Sequence, residues 1–139
     1  MAKLSMQTHV AVAPKELWET VGKFSGLADW HPLIKTSRLE DGGRIRRLQL
    51  LGGGEVVERL EQIDSKDRMY RYSIVSGPMP VANYTATLRI KDDPDSDGAI
   101  VEWSSEFEPK SGGSEADIMK SLQDVYQAGF DNLKKMFGG

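Results

Sequence analysis

The sequence predicts an α+β fold in which one long C-terminal helix packs against a curved antiparallel sheet of seven strands. Seven segments alternate between apolar and polar residues, and turn sequences separate the last six of them. The segment from Ser114 to Phe137 is amphipathic, with apolar residues at three- and four-residue steps. At about 1.5 Å per residue this helix is roughly 36 Å long, enough to cross the whole sheet. Because one helix cannot fill the concave side of so wide a sheet, we expect a cavity there.

The N-terminal part of the chain combines one strand with two short helices. Lys3–Val12 alternates as a strand does. Pro14 is typical of a first helical turn, and we place that helix at Pro14–Val21. A second helical segment, Phe24–Asp29, ends before Pro32, because proline disfavours helical backbone in the residue that precedes it.

Six further strands follow, joined by hairpin-like turns rich in glycine, aspartate and serine. We predict them at Ile34–Glu40, Arg44–Leu51, Glu55–Asp64, Met69–Val75, Asn83–Lys91 and Ala99–Glu108. Ser114 and Asp117 form a predicted cap for the final helix. We interpret residues 1–139 as a single domain.

The composition is ordinary for a soluble globular protein, with 39% hydrophobic and 28% charged residues. A net charge of −3 gives no reason to expect nucleic acid, and we interpret Arg44, Arg46 and Arg47 as the outer face of a strand. The absence of cysteine excludes disulfides and a cysteine nucleophile. No metal-ligand spacing or phosphate loop is present, so we predict no metal or cofactor. Without a signal-peptide pattern or a membrane-length apolar run, we expect a cytoplasmic monomer or homodimer that does not insert into membranes.

Alternation within three strands predicts an aromatic inner face. Tyr72, Tyr84, Trp103 and Phe107 fall on the apolar side, with Ser105 among them. Such residues suit an amphipathic organic ligand, because tyrosine and tryptophan offer both apolar area and a polar tip. Simple core packing explains the same pattern, and both interpretations stay open at this point.

Two titratable residues are candidates for chemistry. His31 is either a proton donor or acceptor near neutral pH, or a loop histidine bonded to backbone beside Pro32. Glu58 lies on a strand with two mixed faces, so it points inwards or forms an ion pair in solvent. Inside an apolar pocket its pKa would rise unless a cation compensates, and it could serve as a general acid or base. Gly129 interrupts the long helix either for close packing or to leave room for a ligand.

Six parts of the chain share their order and spacing with a known superfamily. They are Val12–Trp18, Phe24–Pro32, Glu58–Asp64, Tyr70–Ile74, Gly77–Tyr84 and Tyr126–Leu133. Together they resemble the polyketide cyclase/dehydrase branch of the START-like (SRPBCC) superfamily. The resemblance implies a helix-grip fold, with two short helices between the first two strands, and a large internal pocket for hydrophobic small molecules.

The chain is also similar to the plant hormone receptors of this superfamily. That similarity implies that His31 faces a ligand carboxylate as a cation, that Glu58 is a pocket carboxylate and that Tyr84 is a pocket tyrosine. It further implies gating loops at Gly52–Gly54 and Gly77–Val81. The chain departs from the receptors at Met79–Val81, which replaces polar latch residues, and at Trp103, which replaces an acid.

We therefore expect a protein that binds a hydrophobic or amphipathic small molecule, of lipid, polyketide or aromatic type, between the sheet and the C-terminal helix. The expected ligand-binding residues are His31, Glu58, Tyr72, Met79, Tyr84, Trp103, Phe107, Tyr126 and Phe130. One alternative is a polyketide cyclase/dehydrase-type enzyme with Glu58 or His31 as acid or base. Another is a ligand-regulated module whose Gly77–Val81 loop docks a protein.

Overall fold

The computed structural model describes all residues, 1–139, and contains seven strands and three α-helices. The strands are β1 (Ala2–Val10), β2 (Ile34–Glu40), β3 (Ile45–Leu50), β4 (Glu55–Asp64), β5 (Met69–Ser76), β6 (Val81–Asp92) and β7 (Ala99–Pro109). The helices are α1 (Pro14–Val21), α2 (Leu27–Trp30) and α3 (Glu115–Phe137). Two short 3₁₀ turns lie at Phe24–Gly26 and Asp41–Gly43.

All seven strands form one antiparallel sheet, in the order β1-β7-β6-β5-β4-β3-β2. The first and second strands are therefore the two edges of the sheet, and α1 and α2 connect them. Helix α3 packs against β1 and β7. This arrangement confirms the predicted helix-grip fold. No helix of the structure is both long and apolar enough to cross a membrane.

Several element bounds differ from the prediction by one residue, and three elements differ for clear local reasons. β1 ends at Val10 because the Val12 N–H donates to the Val10 carbonyl, which turns the chain (2.9 Å). The second helical segment divides into a 3₁₀ turn and the single turn of α2. β6 begins two residues early, at Val81, and accommodates Asn83 in a bulge with a φ of 53°. The alternation of apolar and polar residues does not predict such a bulge, because the extra residue breaks the alternation from which the strand is predicted.

The core lies between the concave face of the sheet and α3. The predicted inner residues of β6 and β7 are buried, and so is most of the predicted stripe of α3. Its buried members are Ile118, Leu122, Tyr126, Gly129, Phe130 and Leu133. Val125, also predicted for the stripe, is half-buried, and Met136 is wrongly predicted for it, since it is 45% exposed in the last turn of the helix. The side chain of Ser114 accepts a hydrogen bond from the Asp117 N–H, as the predicted cap requires (3.3 Å).

Candidate functional site

A cavity of about 150 Å³ lies between the sheet and α3. Thirteen of its 17 lining residues are hydrophobic. The lining consists of Leu27, His31, Ile34, Leu48, Leu50, Val56, Glu58, Tyr72, Ile74, Gly77, Pro78, Met79, Tyr84, Trp103, Leu122, Val125 and Tyr126. A cavity of this volume holds a molecule of about one aromatic ring. It is smaller than the large pocket that the resemblance implies.

Partly exposed lining residues mark the mouth of the cavity. They come from β2, from the ends of β3 and β4, from the loop after β5 and from α3. Gly77, Pro78 and Met79 of the second predicted gating loop line the cavity. The first predicted gating loop, Gly52–Gly54, does not line it, although Leu50 and Val56 on either side do.

A fully buried guanidinium, that of Arg46, lies behind the cavity. Its Nε donates to Glu58 Oε1 at 2.7 Å, and its Nη1 donates to the Phe24 carbonyl at 3.1 Å. Its charge also lies over the rings of Phe24 and Tyr72, at 4.2 and 4.9 Å from their centroids. Such stacking favours arginine over lysine, because the guanidinium is planar and weakly hydrated.

The prediction that Arg46 belongs to the outer face of a strand is wrong. Arg46 alternates with Leu48 on β3 and pairs across the ladder with Glu58 of β4. Its side chain is 0% exposed, and that of Glu58 is 8% exposed. The basic cluster therefore divides, with Arg46 inside while Arg44 remains exposed.

Glu58 faces inwards, and it is also ion-paired. The interpretation of a solvent-facing carboxylate is wrong, although a salt bridge does form. Burial raises the pKa of Glu58, and the charge of Arg46 opposes that rise. The guanidinium keeps its charge, and its 2.7 Å contact with Oε1 favours the ionised form of Glu58. Only Oε1 is bonded to Arg46. The other carboxylate oxygen, Oε2, has no hydrogen-bond partner, and Glu58 lines the cavity.

Three tyrosine hydroxyls supply hydrogen-bond donors to the same cavity. Tyr72 Oη accepts from Trp103 Nε1 at 3.1 Å, so its own proton remains available. The hydroxyls of Tyr84 and Tyr126 bond to each other, which leaves one of their two protons available. Burial raises the pKa of Tyr126 to about 12 and that of Tyr72 and Tyr84 well above the ordinary value. All three are therefore neutral phenols at physiological pH.

Both ring nitrogens of His31 are used by backbone groups. Nε2 donates to the Val125 carbonyl of α3 at 2.8 Å, and Nδ1 accepts from the Leu33 N–H at 3.2 Å. His31 lines the cavity, but it matches the interpretation of a histidine bonded to backbone. Burial lowers its pKa from the ordinary value of 6.5. The imidazole is therefore neutral, not the cation that the similarity to plant hormone receptors implies.

Gly129 allows α3 to approach the aromatic end of the cavity. A Cβ atom at this position would lie 2.9 Å from His31 Cδ2, 3.0 Å from Trp30 Cζ3 and 3.3 Å from Trp103 Cζ3. Distances this short leave no space for a side chain, so close packing explains the glycine. The absent Cβ allows the contact that carries the hydrogen bond from His31 to Val125.

Comparison with known proteins gives a family. The family model described as polyketide cyclase/dehydrase and lipid transport matches residues 1–138. This chain belongs to that family. Comparison with curated protein sequences gives no match.

Solved structures support both the family and the fold. The protein XoxI of Bacillus cereus is 34% identical, with a TM-score of 0.94, and the match covers 99% of this chain and 96% of that one. A protein of Bacillus thuringiensis is also 34% identical, with a TM-score of 0.94 and 98% of each chain covered. Ara h 8.0201 is similar in fold alone, with 16% identity, a TM-score of 0.78 and coverage of 97% and 96%.

In this member of the family, most of the predicted site residues lie together. His31, Glu58, Tyr72, Met79, Tyr84, Trp103 and Tyr126 all line the cavity. Phe107 and Phe130 are buried in the core but do not line it. No group of three or more histidine, aspartate or glutamate side chains is arranged to bind a metal ion.

Sequence reasoning missed Arg46 and the aliphatic wall of the cavity. That wall includes Ile34 of β2, Leu48 of β3 and Val56 of β4. A signal for Arg46 exists, because it alternates with Leu48 and Leu50 on one face of its strand. The aliphatic residues give no distinct signal, since they look like any other core positions.

The pKa of His31 predicts a pH dependence of stability. Below pH 6.5 the unfolded chain takes up a proton that the folded imidazole resists, so the free energy of unfolding falls as pH drops from 6.5 toward the lowered folded pKa. The loss is at most about 1.4 kcal/mol per pH unit. Urea unfolding from pH 7.5 to 5.5 measures it. The difference between wild type and His31→Gln is expected to shrink as pH falls, and parallel curves would contradict this.

Proposed function

We propose that this protein binds a small hydrophobic or amphipathic molecule in the cavity between the sheet and α3. One observation carries the proposal: a mostly apolar cavity contains an unpartnered carboxylate oxygen, Glu58 Oε2, and tyrosine hydroxyls with free protons. Preformed ligand sites combine an apolar wall with a few polar groups in this way. The family description, which includes lipid transport, agrees with such a role.

The contacts of the two acid/base candidates favour binding over catalysis. His31 has no free nitrogen, because both are bonded to backbone. Glu58 has one oxygen engaged by Arg46, whose charge opposes the rise in the Glu58 pKa that burial causes. A general base must be free to take the substrate proton; His31 does not meet this requirement, and Glu58 Oε2 is the one atom of the two residues that does.

One observation favours the enzymatic alternative. A free carboxylate oxygen and tyrosine donors share a single cavity, which is the arrangement that proton abstraction next to a carbonyl requires. In that reaction Glu58 Oε2 would remove a proton from the carbon beside the carbonyl. Tyr72 would donate a hydrogen bond to the oxygen that becomes negatively charged.

Binding can be tested with two uncharged one-ring probes, toluene and p-cresol. We expect both to shift the NMR signals of cavity residues such as Leu48 and Ile74. The variant Val125→Trp fills the mouth of the cavity, and we expect it to weaken the binding of both probes at least about tenfold. Its matched control is Gln123→Trp on the exposed side of α3. Absence of cavity shifts for both probes, or equal binding to Val125→Trp and Gln123→Trp, would contradict the proposal.

The enzymatic alternative has a separate test with acetophenone, a one-ring ketone. Proton abstraction would exchange its methyl protons for deuterium in D₂O faster than buffer does, and Glu58→Gln would remove the acceleration. Binding without accelerated exchange is the result that our proposal predicts. Accelerated exchange that depends on Glu58 would instead make the protein an enzyme.

A further inference from the structure

We propose that the cavity selects a ligand hydroxyl, as in a phenol, and rejects carboxylates, with Glu58 as the residue that determines this specificity. The inference rests on the proposed function, because it names the class of ligand that the same cavity takes.

The carboxylate of Glu58 requires a donor from the ligand. Its Oε1 is bonded to Arg46 Nε, whereas Oε2 has no partner. A ligand that covers Oε2 without donating a hydrogen bond leaves a desolvated carboxylate oxygen without a partner, which is costly, and a ligand that donates avoids that cost. A hydrocarbon or an ether would cover Oε2 without bonding to it.

The tyrosines require an acceptor from the ligand. Tyr72 Oη already accepts a hydrogen bond from Trp103 Nε1, so the hydroxyl can still donate its own proton to a ligand. The pair of Tyr84 and Tyr126 likewise has one unused proton. A hydroxyl group both donates and accepts, so one ligand oxygen can donate to Glu58 and accept from Tyr72.

No cation lines the cavity to receive an anion. Arg46 is not a lining residue, and its charge is neutralised by Glu58. His31 is neutral, with both of its nitrogens bonded to backbone. A ligand carboxylate would therefore face the Glu58 carboxylate in a site of low dielectric, where like charges repel strongly.

The volume and the wall restrict the rest of the ligand. About 150 Å³ accommodates a single ring. Aromatic and aliphatic side chains form most of the wall, including Leu48, Trp103 and Tyr126. A one-ring phenol satisfies the size, the apolar wall and both kinds of polar group together.

The test compares the affinities of the wild-type protein for p-cresol, toluene and benzoate, three probes of similar size, at pH 7 by calorimetry and NMR. We expect p-cresol to bind about tenfold tighter than toluene, which is the lower part of the range for a hydrogen bond to a charged group. Benzoate is expected to bind at least about a hundredfold more weakly than p-cresol. Equal affinities for p-cresol and toluene, or benzoate binding as tight as p-cresol, would overturn the inference.

Variants of Glu58 test the assigned residue. In Glu58→Ala the charge of Arg46 is left without a partner, so we expect benzoate to bind and p-cresol to lose its advantage over toluene. Glu61→Ala removes an exposed carboxylate from the same strand, and we expect it to keep the wild-type order of affinities for the three probes. If Glu58→Ala does not fold, the double variant Arg46→Met/Glu58→Leu replaces it and is expected to bind toluene at least as tightly as p-cresol. If the variant that folds keeps the wild-type order of probe affinities, the assignment of Glu58 as the specificity-determining residue is overturned.

The possible failures are distinguishable. If none of the three probes binds, the proposed function fails and the inference fails with it. If all three bind in the cavity with equal affinity, the proposed function stands and only the hydroxyl selectivity is overturned.

Discussion

Replacing Arg46 with methionine is expected to lower the free energy of unfolding by about 3–5 kcal/mol, the range for breaking a buried ion pair. The guanidinium is 0% exposed, and its Nη2 and Nε atoms both lie 2.7 Å from Glu58 Oε1. Without it, the Glu58 carboxylate stays buried with no compensating charge. Urea unfolding followed by circular dichroism measures the change.

The pH dependence separates this mechanism from a general packing defect. Arg46 is the group that holds the pKa of Glu58 down against burial, so the pKa rises further when Arg46 is removed. A carboxyl whose folded pKa is raised loses stability as pH rises through that value. The deficit of Arg46→Met is therefore expected to be largest at neutral pH and to shrink toward pH 4.5, the ordinary pKa of glutamate. A deficit independent of pH would contradict the account.

Two further variants serve as controls. Glu58→Leu leaves a guanidinium that cannot deprotonate, so its deficit should be at least as large and should not shrink at acidic pH. The double variant Arg46→Met/Glu58→Leu removes both charges and is expected to recover most of the lost stability, because apolar replacements of buried pairs are often neutral or stabilising. A double variant whose deficit equals the sum of the two single deficits would show that the charges are not coupled.

Replacing Trp103 with alanine is expected to cost about 3–5 kcal/mol, as truncation of a large buried aromatic residue does. Trp103 is 3% exposed, stacks on Tyr126 with centroids 4.1 Å apart, and donates its indole N–H to Tyr72. Its removal leaves a void that Tyr126 and Trp30 cannot fill without moving. The change is measured as the shift of the urea midpoint.

Trp18→Ala is the matched control for this prediction. Trp18 is only partly buried, and its ring lies 6.5 Å from that of Tyr70 at the edge of the core. Its truncation is expected to cost clearly less than that of Trp103. Equal costs for the two tryptophans would contradict the central position assigned to Trp103.

The fold was predictable because local patterns agree with one another. Alternation in β5, β6 and β7 correctly places Tyr72, Tyr84 and Trp103 on the inner face. The three- and four-residue spacing gives the buried stripe of α3, and the Ser114 cap gives its start. Each of these signals lies within one element, and the antiparallel arrangement follows from short connections.

The site was less predictable, because its polar contacts join residues that are distant in the sequence. Arg46 and Glu58 meet only through the register of β3 on β4. The bond from His31 to the Val125 carbonyl joins residues 94 positions apart. A local pattern therefore gives neither the ionisation state of Glu58 nor the lack of a free nitrogen on His31. Both depend on the assembled sheet and helix.

The most direct test of the central claim is a crystal structure of the protein soaked with p-cresol. We predict the ring between β3, β5 and α3, with its hydroxyl oxygen within about 3.2 Å of Glu58 Oε2. An empty cavity at saturating p-cresol, or a ring bound only on the outer surface, would contradict the assignment of this cavity as the ligand site.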